Sequence, residues 1–547
     1  MRLLILLLLL TSVSGYTQTN KYFIQLTDKN NSTFSISNPI QFLSQRAIDR
    51  RVRQNIAITQ EDLPVNQSYV DSIVAKGAIV LTRSKWFNGI TIQCDSSTLN
   101  SVLTLPFVAS DRRVFRIGNP RGPRKFSGGM PLNTPSSLRI SGINYGTSFN
   151  QIHLMNGEFL HQEGYTGEGM LIAVLDAGFY SVDQLAAFDS LKMNNRLIAT
   201  WDFVDDEDSV FEDSPHGMNV LSTIAGNLPG ALVGTAPGAS FLLLRSEDAS
   251  TENIIEEYNW NAAAEFADSA GADVITSSLG YTTFDDSTAN HSYADMDGMH
   301  CPSSIAADIA VSKGILVVTS AGNSGSGSWH YIGAPSDGTQ VISVGAVDSV
   351  GVHASFSSFG PGAGGLVKPN VCAKGLLSSV ADVFGGVSEA NGTSFACPIL
   401  AGSATCLWQA FPHATALELK SVIERSAHLY HNPNDSMGYG IPDFRIADYF
   451  LSSGSIQLPS DDRLISAYPN PFDDIINLRI YSSRSQRVII DMFNTVGQQV
   501  SSLTENVSGG SIASFELRGG NLRSGIYFIR ILTESSQMMV TTVKSGL

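Results

Sequence analysis

Asn391-Gly392-Thr393-Ser394-Phe395-Ala396-Cys397-Pro398 opens a run of small and apolar residues reaching about Phe411. The run predicts a helix with Ser394 at its start, where unpaired N–H groups and the positive helix end favour negative charge. Pro398 is expected to fall where the missing N–H costs nothing. A serine hydroxyl is a weak nucleophile near neutral pH and needs a neighbouring base. Three other segments offer partners. Asp176 closes the apolar run Leu171-Ile172-Ala173-Val174-Leu175, and His216 lies in Ser214-Pro215-His216-Gly217. Asn323 lies in Ser320-Ala321-Gly322-Asn323-Ser324-Gly325.

Each of these has a duller explanation when taken alone: a turn aspartate, a satisfied loop histidine, a helix-terminating Ala-Gly-Asn. The order Asp176, His216, Asn323, Ser394, each in a suitable strand or helix context, is more specific. Residues 145–452 resemble the subtilisin-like serine endopeptidases, a family whose triad is known to follow the chain order Asp, His, Ser. The resemblance implies α/β architecture: a parallel sheet flanked by helices, with Asp176 at a strand end and Gly178 turning the chain beyond it. It gives His216 the part of base towards Ser394, Asp176 that of orienting the ring, and the Ser394 amide and Asn323 side chain those of oxyanion donors. Ser278-Leu279-Gly280 would border the substrate pocket, with Ala321-Gly322 on the facing wall. No acid or lysine marks these segments, so the pocket is expected to take apolar or neutral side chains. Subtilases commonly have His-Gly-Thr-His where this chain has His216-Gly217-Met218-Asn219, which puts local packing in question.

The chain of 547 residues is too long for one core. Residues 1–15 read as a signal peptide: Arg2, the apolar Leu3–Leu10, and a small-residue site at Val13-Ser14-Gly15. No run is long enough to span a membrane. Residues 16–117 read as an α+β unit, with strands at Lys21–Leu26, Ala78–Thr82, Gly89–Gln93 and Arg113–Ile117. Helical patterns lie at Ile40–Arg53, Gln67–Lys76 and Ser97–Leu103. The position and order resemble a subtilase propeptide, which implies folding assistance and inhibition, and hence the chain's own propeptide as a partner. A Gly/Pro-rich linker spans 118–144 and is the expected maturation region.

Charge supports that partnership. Residues 16–150 hold 16 Lys+Arg against 7 Asp+Glu, while 151–460 hold 9 against 35. A basic unit beside a strongly acidic domain suggests docking, and the acidic excess argues against nucleic acid as a partner. Within the acid-rich part, Asp205-Asp206-Glu207-Asp208 leaves a calcium site open. A solvated loop is preferred there, because the alternation of an EF-hand is absent; no metal ligand is assigned and no redox or organic cofactor is required. Five cysteines show neither metal-ligand spacing nor a disulfide framework, and buried thiols are the default reading. Cys397 and Cys406 would stand about 13 Å apart along one helix, too far to bridge.

After a linker at 453–463, residues 464–547 carry short alternating strands separated by turns, the pattern of a β-sandwich. Tyr468-Pro469-Asn470-Pro471-Phe472 and Gly525-Ile526-Tyr527 resemble the C-terminal sorting domain of type IX secretion cargo in Bacteroidetes. That implies export to the surface or medium and the type IX machinery as a partner; an accessory binding sandwich is the alternative. The sequence as a whole points to a secreted zymogen that hydrolyses protein or peptide substrates. The rivals are a surface binding protein on an inactive subtilase scaffold and a maturation protease of narrow specificity.

Overall fold

The computed structural model describes residues 19–115, 125, 130–131, 139–140 and 143–545; the expected signal peptide and most of the 118–144 linker lie outside them. In the N-terminal unit, β1 (Asn20–Leu26), β2 (Ile79–Ser84), β3 (Gly89–Cys94) and β4 (Val108–Phe115) form an antiparallel sheet in the order β2-β3-β1-β4. Helices α1 (Gln45–Arg53), α2 (Gln67–Val74) and α3 (Ser96–Val102) complete it. The strand period of two divides β1 between two cores. Tyr22, Ile24 and Leu26 pack with Val70, Ile73 and Val102, while Phe23 faces the larger domain. Helix α1 starts later than the apolar pattern at Ile40 suggests. Pro39 opens a separate turn of 3-10 helix, and Ser44 caps α1 by accepting from the Ala47 amide at 3.1 Å.

The central domain is built on seven parallel strands. In chain order these are β5 (Leu171–Asp176), β6 (Leu197–Asp202), β7 (Ser240–Arg245), β8 (Val274–Ser277), β9 (Leu316–Ser320), β10 (Ile342–Val347) and β11 (Val371–Lys374). Their spatial order is β11-β10-β9-β8-β5-β7-β6. From β5 the chain runs out to the edge strand β6, returns to β7 beside β5, then crosses to the other side of β5 at β8, so the topology reverses beside β5. The crevice at the carboxyl ends of such strands is where open α/β sheets place ligands.

Both faces of the sheet are covered, which explains why its strands are apolar throughout. Ile172, Val174, Phe241 and Leu243 face α4 (His216–Ala225), α7 (Thr393–Ala410), α8 (Ala416–Ser426) and α9 (Phe444–Ser453). Leu171, Ala173, Leu175, Leu242 and Leu244 face α5 (Ile255–Ala270) and α6 (Pro302–Ser312). A hairpin of β12 (Ser378–Ala381) and β13 (Val387–Ala390) leads into α7, and Met130–Pro131 pairs antiparallel with β13.

The C-terminal strands form two antiparallel sheets, as the alternating pattern predicted. Strands β14 (Arg463–Tyr468), β15 (Ile475–Ser482) and β18 (Ser511–Arg518) make one. Strands β16 (Gln486–Asn494), β17 (Gln499–Val507), β19 (Gly525–Leu532) and β20 (Gln537–Lys544) make the other. Phe472, Leu478, Ile490, Phe515 and Ile529 fill the space between. The sandwich leans on α9 through Arg479, which donates to Asp448 at 2.6 Å and lies over the Phe159 ring. Among the described residues no helix is long and apolar enough to cross a membrane.

Candidate active site

Asp176 ends β5 with its side chain fully buried. His216 begins α4, and its Nδ1 stands 2.6 Å from Asp176 Oδ1, which also accepts from the Ala177 amide at 2.8 Å. Gly217 makes the approach possible. A Cβ there would fall 2.8 Å from the Asp176 Cβ and closer still to the Gly178 carbonyl oxygen. Gly178 itself turns the chain at φ +136°, a conformation that favours glycine. Where the family has a second histidine, Asn219 donates to the Ala381 carbonyl at 2.6 Å and fastens α4 to β12.

Ser394 is the second residue of α7. Pro398 lies a full turn further in than expected, where its missing N–H would have paired with the Ser394 carbonyl. Ser278 takes over that donation, its Oγ standing 2.7 Å from Ser394 O, while Ser394 Oγ donates to Ser278 O at 3.3 Å. Thr393 ties in the opposite wall. Asn323 Oδ1 accepts from the Thr393 amide at 2.9 Å and from its hydroxyl at 3.0 Å, and Thr393 Oγ1 accepts from the Gly322 amide at 3.2 Å. With Oδ1 so held, Nδ2 is directed towards the space beside Gly392, where a Cβ would lie 3.6 Å from both Nδ2 and the Ser394 amide nitrogen.

One cavity of about 280 Å³ is lined by Ser278, Leu279, Gly280, Ala321, Gly322, Asn323 and Ser394, so these expected site residues do share a cleft. The cavity lining is not limited to these neutral segments. Glu247 and Glu252 also line the cavity, and with Glu256 they surround the Nζ of Lys125 at 2.5, 3.1 and 2.7 Å. The Tyr281 hydroxyl donates to Glu247 at 3.0 Å. Burial raises all three carboxyl pKa values, Glu252 to about 8, and the surrounding carboxylates push the Lys125 ammonium up. Sequence reading missed the cluster because its members come from the loop after β7, from α5 and from the linker, with no shared local motif.

The acidic tract Asp202–Asp213 is organised around an internal cation. Arg245 reaches Asp202, Asp205 and Asp213 at 2.5, 2.6 and 3.2 Å, so three of its carboxylates share one guanidinium. All five cysteines are free and buried, and burial pushes the Cys397 thiol up to about 12.

The N-terminal unit sits on α5 and α6, as the charge balance suggested. Fully buried Asp268 accepts from Arg50 at 2.5 Å, Arg51 at 2.9 Å and Lys85 at 2.8 Å, a concentration of positive charge that holds its carboxyl well below the usual range. Glu265 accepts from the Lys85 and Trp86 amides at 2.6 and 3.0 Å, and Phe23 stacks on Tyr258 with centroids 4.5 Å apart.

Comparison with known proteins finds a family for each of the three parts of the chain. The Subtilase family model matches residues 167–440, a Peptidase S8 propeptide domain of Bacteroidota matches 21–122, and a Secretion system C-terminal sorting domain matches 466–545. The chain belongs to the subtilase family. It is 33% identical over 272 residues to Subtilisin NAT of Bacillus subtilis subsp. natto and to Subtilisin E of Bacillus subtilis (strain 168), covering 49% of this chain and 63% of each of those. The subtilisin of Bacillus pumilus is 32% identical over 272 residues, 49% of this chain and 87% of that one.

Proposed function

We propose that this chain is a secreted serine endopeptidase, made as a zymogen whose propeptide is residues 16–117 and exported by type IX machinery that reads the C-terminal sandwich. The observation carrying it is the 2.6 Å Asp176–His216 pair at the end of a central strand, with the His216 ring 6.2 Å from that of Phe395, the residue after Ser394 in the first turn of α7. Ser394 Oγ attacks the substrate carbonyl carbon while His216 Nε2 takes its proton, and Asp176 holds Nδ1–H so that Nε2 faces the serine. The oxyanion is met by the Ser394 amide and Asn323 Nδ2. Collapse expels the amine, protonated by His216, and water then cleaves the acyl ester. Every group in this scheme comes from the chain, so no cofactor is called for, and the acidic loop around Arg245 is not proposed to bind calcium.

The test is labelling of processed protein with a fluorophosphonate, beside Ser394→Ala, with the modified residue read by mass spectrometry. Modification of Ser394 is expected. Folded, processed protein that stays unlabelled would instead fit a binding protein on an inactive scaffold.

A further inference from the structure

Glu257 on α5, His291 in the loop after β8, and Cys301, the residue that caps α6, converge in the interior of the catalytic domain. Glu257 carboxylate oxygen, His291 ring nitrogen and Cys301 Sγ all lie within 4.8 Å of one another. None of the three lines the cavity that holds Ser394. Glu257 and Cys301 are fully buried and the His291 side chain is 8% exposed, so His291 is the member nearest solvent.

The carboxylate has no permanent cation. Among the described residues Glu257 pairs with no lysine or arginine; its ion pair is with His291, whose Nε2 stands 2.8 Å from Oε2. Asp295, Asp297 and Asp337 add further negative charge around the thiol. Burying charge of one sign is costly unless a cation joins it. Outer contacts already orient the donors, as they do in metal sites. Ser303 donates to Glu257 Oε1 from its hydroxyl at 2.7 Å and from its amide at 3.3 Å, which leaves Oε2 to His291. The His291 amide donates to Thr282 O at 2.9 Å. The thiol donates only to Asp295 O, at 3.6 Å, and S–H is a weak donor.

We infer that Glu257, His291 and Cys301 form a structural site for zinc, or a transition ion of like preference, that clamps the loop of residues 281–301 to α5 and α6. Imidazole nitrogen and thiolate sulfur select such an ion over calcium or magnesium, which take oxygen. Zinc at about 2.0–2.3 Å from each donor sets the donors about 3.3–3.8 Å apart, so they need shift by about 1 Å or less. On binding, the Cys301 S–H bond breaks and its proton goes to solvent, while the imidazole stays neutral with its hydrogen on Nδ1. Water takes the fourth position. Thr282, which holds the His291 amide, lines the Ser394 cavity, so the clamp steadies one wall of the cleft as well.

The test compares the full-length chain carrying Ser394→Ala, which prevents self-cleavage, with the same chain carrying in addition Cys301→Ser or His291→Gln. Serine is a favoured helix cap, so Cys301→Ser keeps the start of α6. Each protein is stripped with chelator and titrated with Co²⁺, whose bond to thiolate gives a near-ultraviolet charge-transfer band, and then with Zn²⁺. Expected for the parent are a thiolate–cobalt band saturating at about one equivalent, its loss on adding zinc, and a Tm raised by zinc. Cys301→Ser should lose both the band and the Tm response, and His291→Gln should bind cobalt at least about tenfold more weakly. A parent chain without the band overturns the inference. So does a band or a zinc-raised Tm that Cys301→Ser retains, since the metal then sits elsewhere, and so does unchanged cobalt affinity in His291→Gln. Labelling of Ser394 is a separate readout, and the peptidase reading stands or falls on that alone.

Discussion

Ser278 Oγ donates to the carbonyl oxygen of Ser394 at 2.7 Å, the bond that residue 398 would make were it not proline. The segment bordering the cleft and the helix carrying Ser394 are thus joined by one hydroxyl. Ser278→Ala leaves a buried carbonyl unsatisfied, at about 1–3 kcal/mol. It should lower both Tm and kcat. Pro398→Ala restores an N–H for that oxygen, so the double variant should recover part of the loss. Additive effects in a double-mutant cycle would show that the two donors do not substitute for each other.

Asn323 is fixed by the two Thr393 donors to its Oδ1, which leaves its Nδ2 to act without reorganisation. Asn323→Ala should lower kcat by about 10²–10³, the range known for loss of the corresponding donor in subtilisin. KM should change little, because the donor matters chiefly once charge has developed on the oxygen. A variant that is folded and turns over like wild type would remove Asn323 from the oxyanion role.

Local motifs made much of this legible. The apolar run ending at Asp176, the His216-Gly217 pair and the small-residue helix after Ser394 are contiguous, and each reflects a local steric or electrostatic need. The sequence missed what depends on chain crossing. Arg245 within the acidic tract, and Lys125 among Glu247, Glu252 and Glu256, join residues about 30 to 130 positions apart. The pairing of propeptide and catalytic domain could be foreseen from charge, but not that three cations would converge on Asp268.

That convergence is itself testable. Asp268→Asn leaves Arg50 and Lys85 buried without their anion, and breaking a buried ion pair on one side costs about 3–5 kcal/mol. In a Ser394→Ala background, which prevents self-cleavage, amide exchange across α1 should quicken by about 100-fold or more. Unchanged protection there would mean that apolar contacts such as Phe23 on Tyr258 hold the propeptide alone.

His161 gives the catalytic domain a pH-dependent stability. Buried in the core, it accepts from the Tyr145 hydroxyl at Nδ1, 2.7 Å away, and donates from Nε2 to Thr235 O at 3.0 Å, a pattern only the neutral ring satisfies. Burial lowers its pKa to about 4 from an ordinary value near 6.5. Above pH 6.5 neither folded nor unfolded chain holds the proton, and this contribution is fully present. Between 6.5 and 4 the unfolded chain takes up a proton that the folded one refuses, and stability falls by about 3 kcal/mol in all. His161→Gln keeps the donor to Thr235 but cannot titrate. In the Ser394→Ala background its Tm should therefore fall less than that of the parent between pH 7 and 4. Parallel curves would show that His161 is not a source of the acid loss.

The most local test of the site is Gly217→Ala. The added methyl would meet the Asp176 Cβ at 2.8 Å and press on the Gly178 carbonyl, so α4 must retreat from the end of β5. Overpacking of this kind costs about 1–3 kcal/mol. The retreat carries His216 with it and lengthens the 2.6 Å contact with Asp176, on which the orientation of the imidazole depends. Turnover should therefore fall further than stability: about 10²-fold or more in kcat, with a folded protein and a Tm lower by only a few degrees. Fluorophosphonate labelling of Ser394 should slow in proportion, since it needs the same base. If the variant turns over at the wild-type rate, the close packing of α4 on β5 is not what places His216, and the His-Gly pair has no positioning role in this chain.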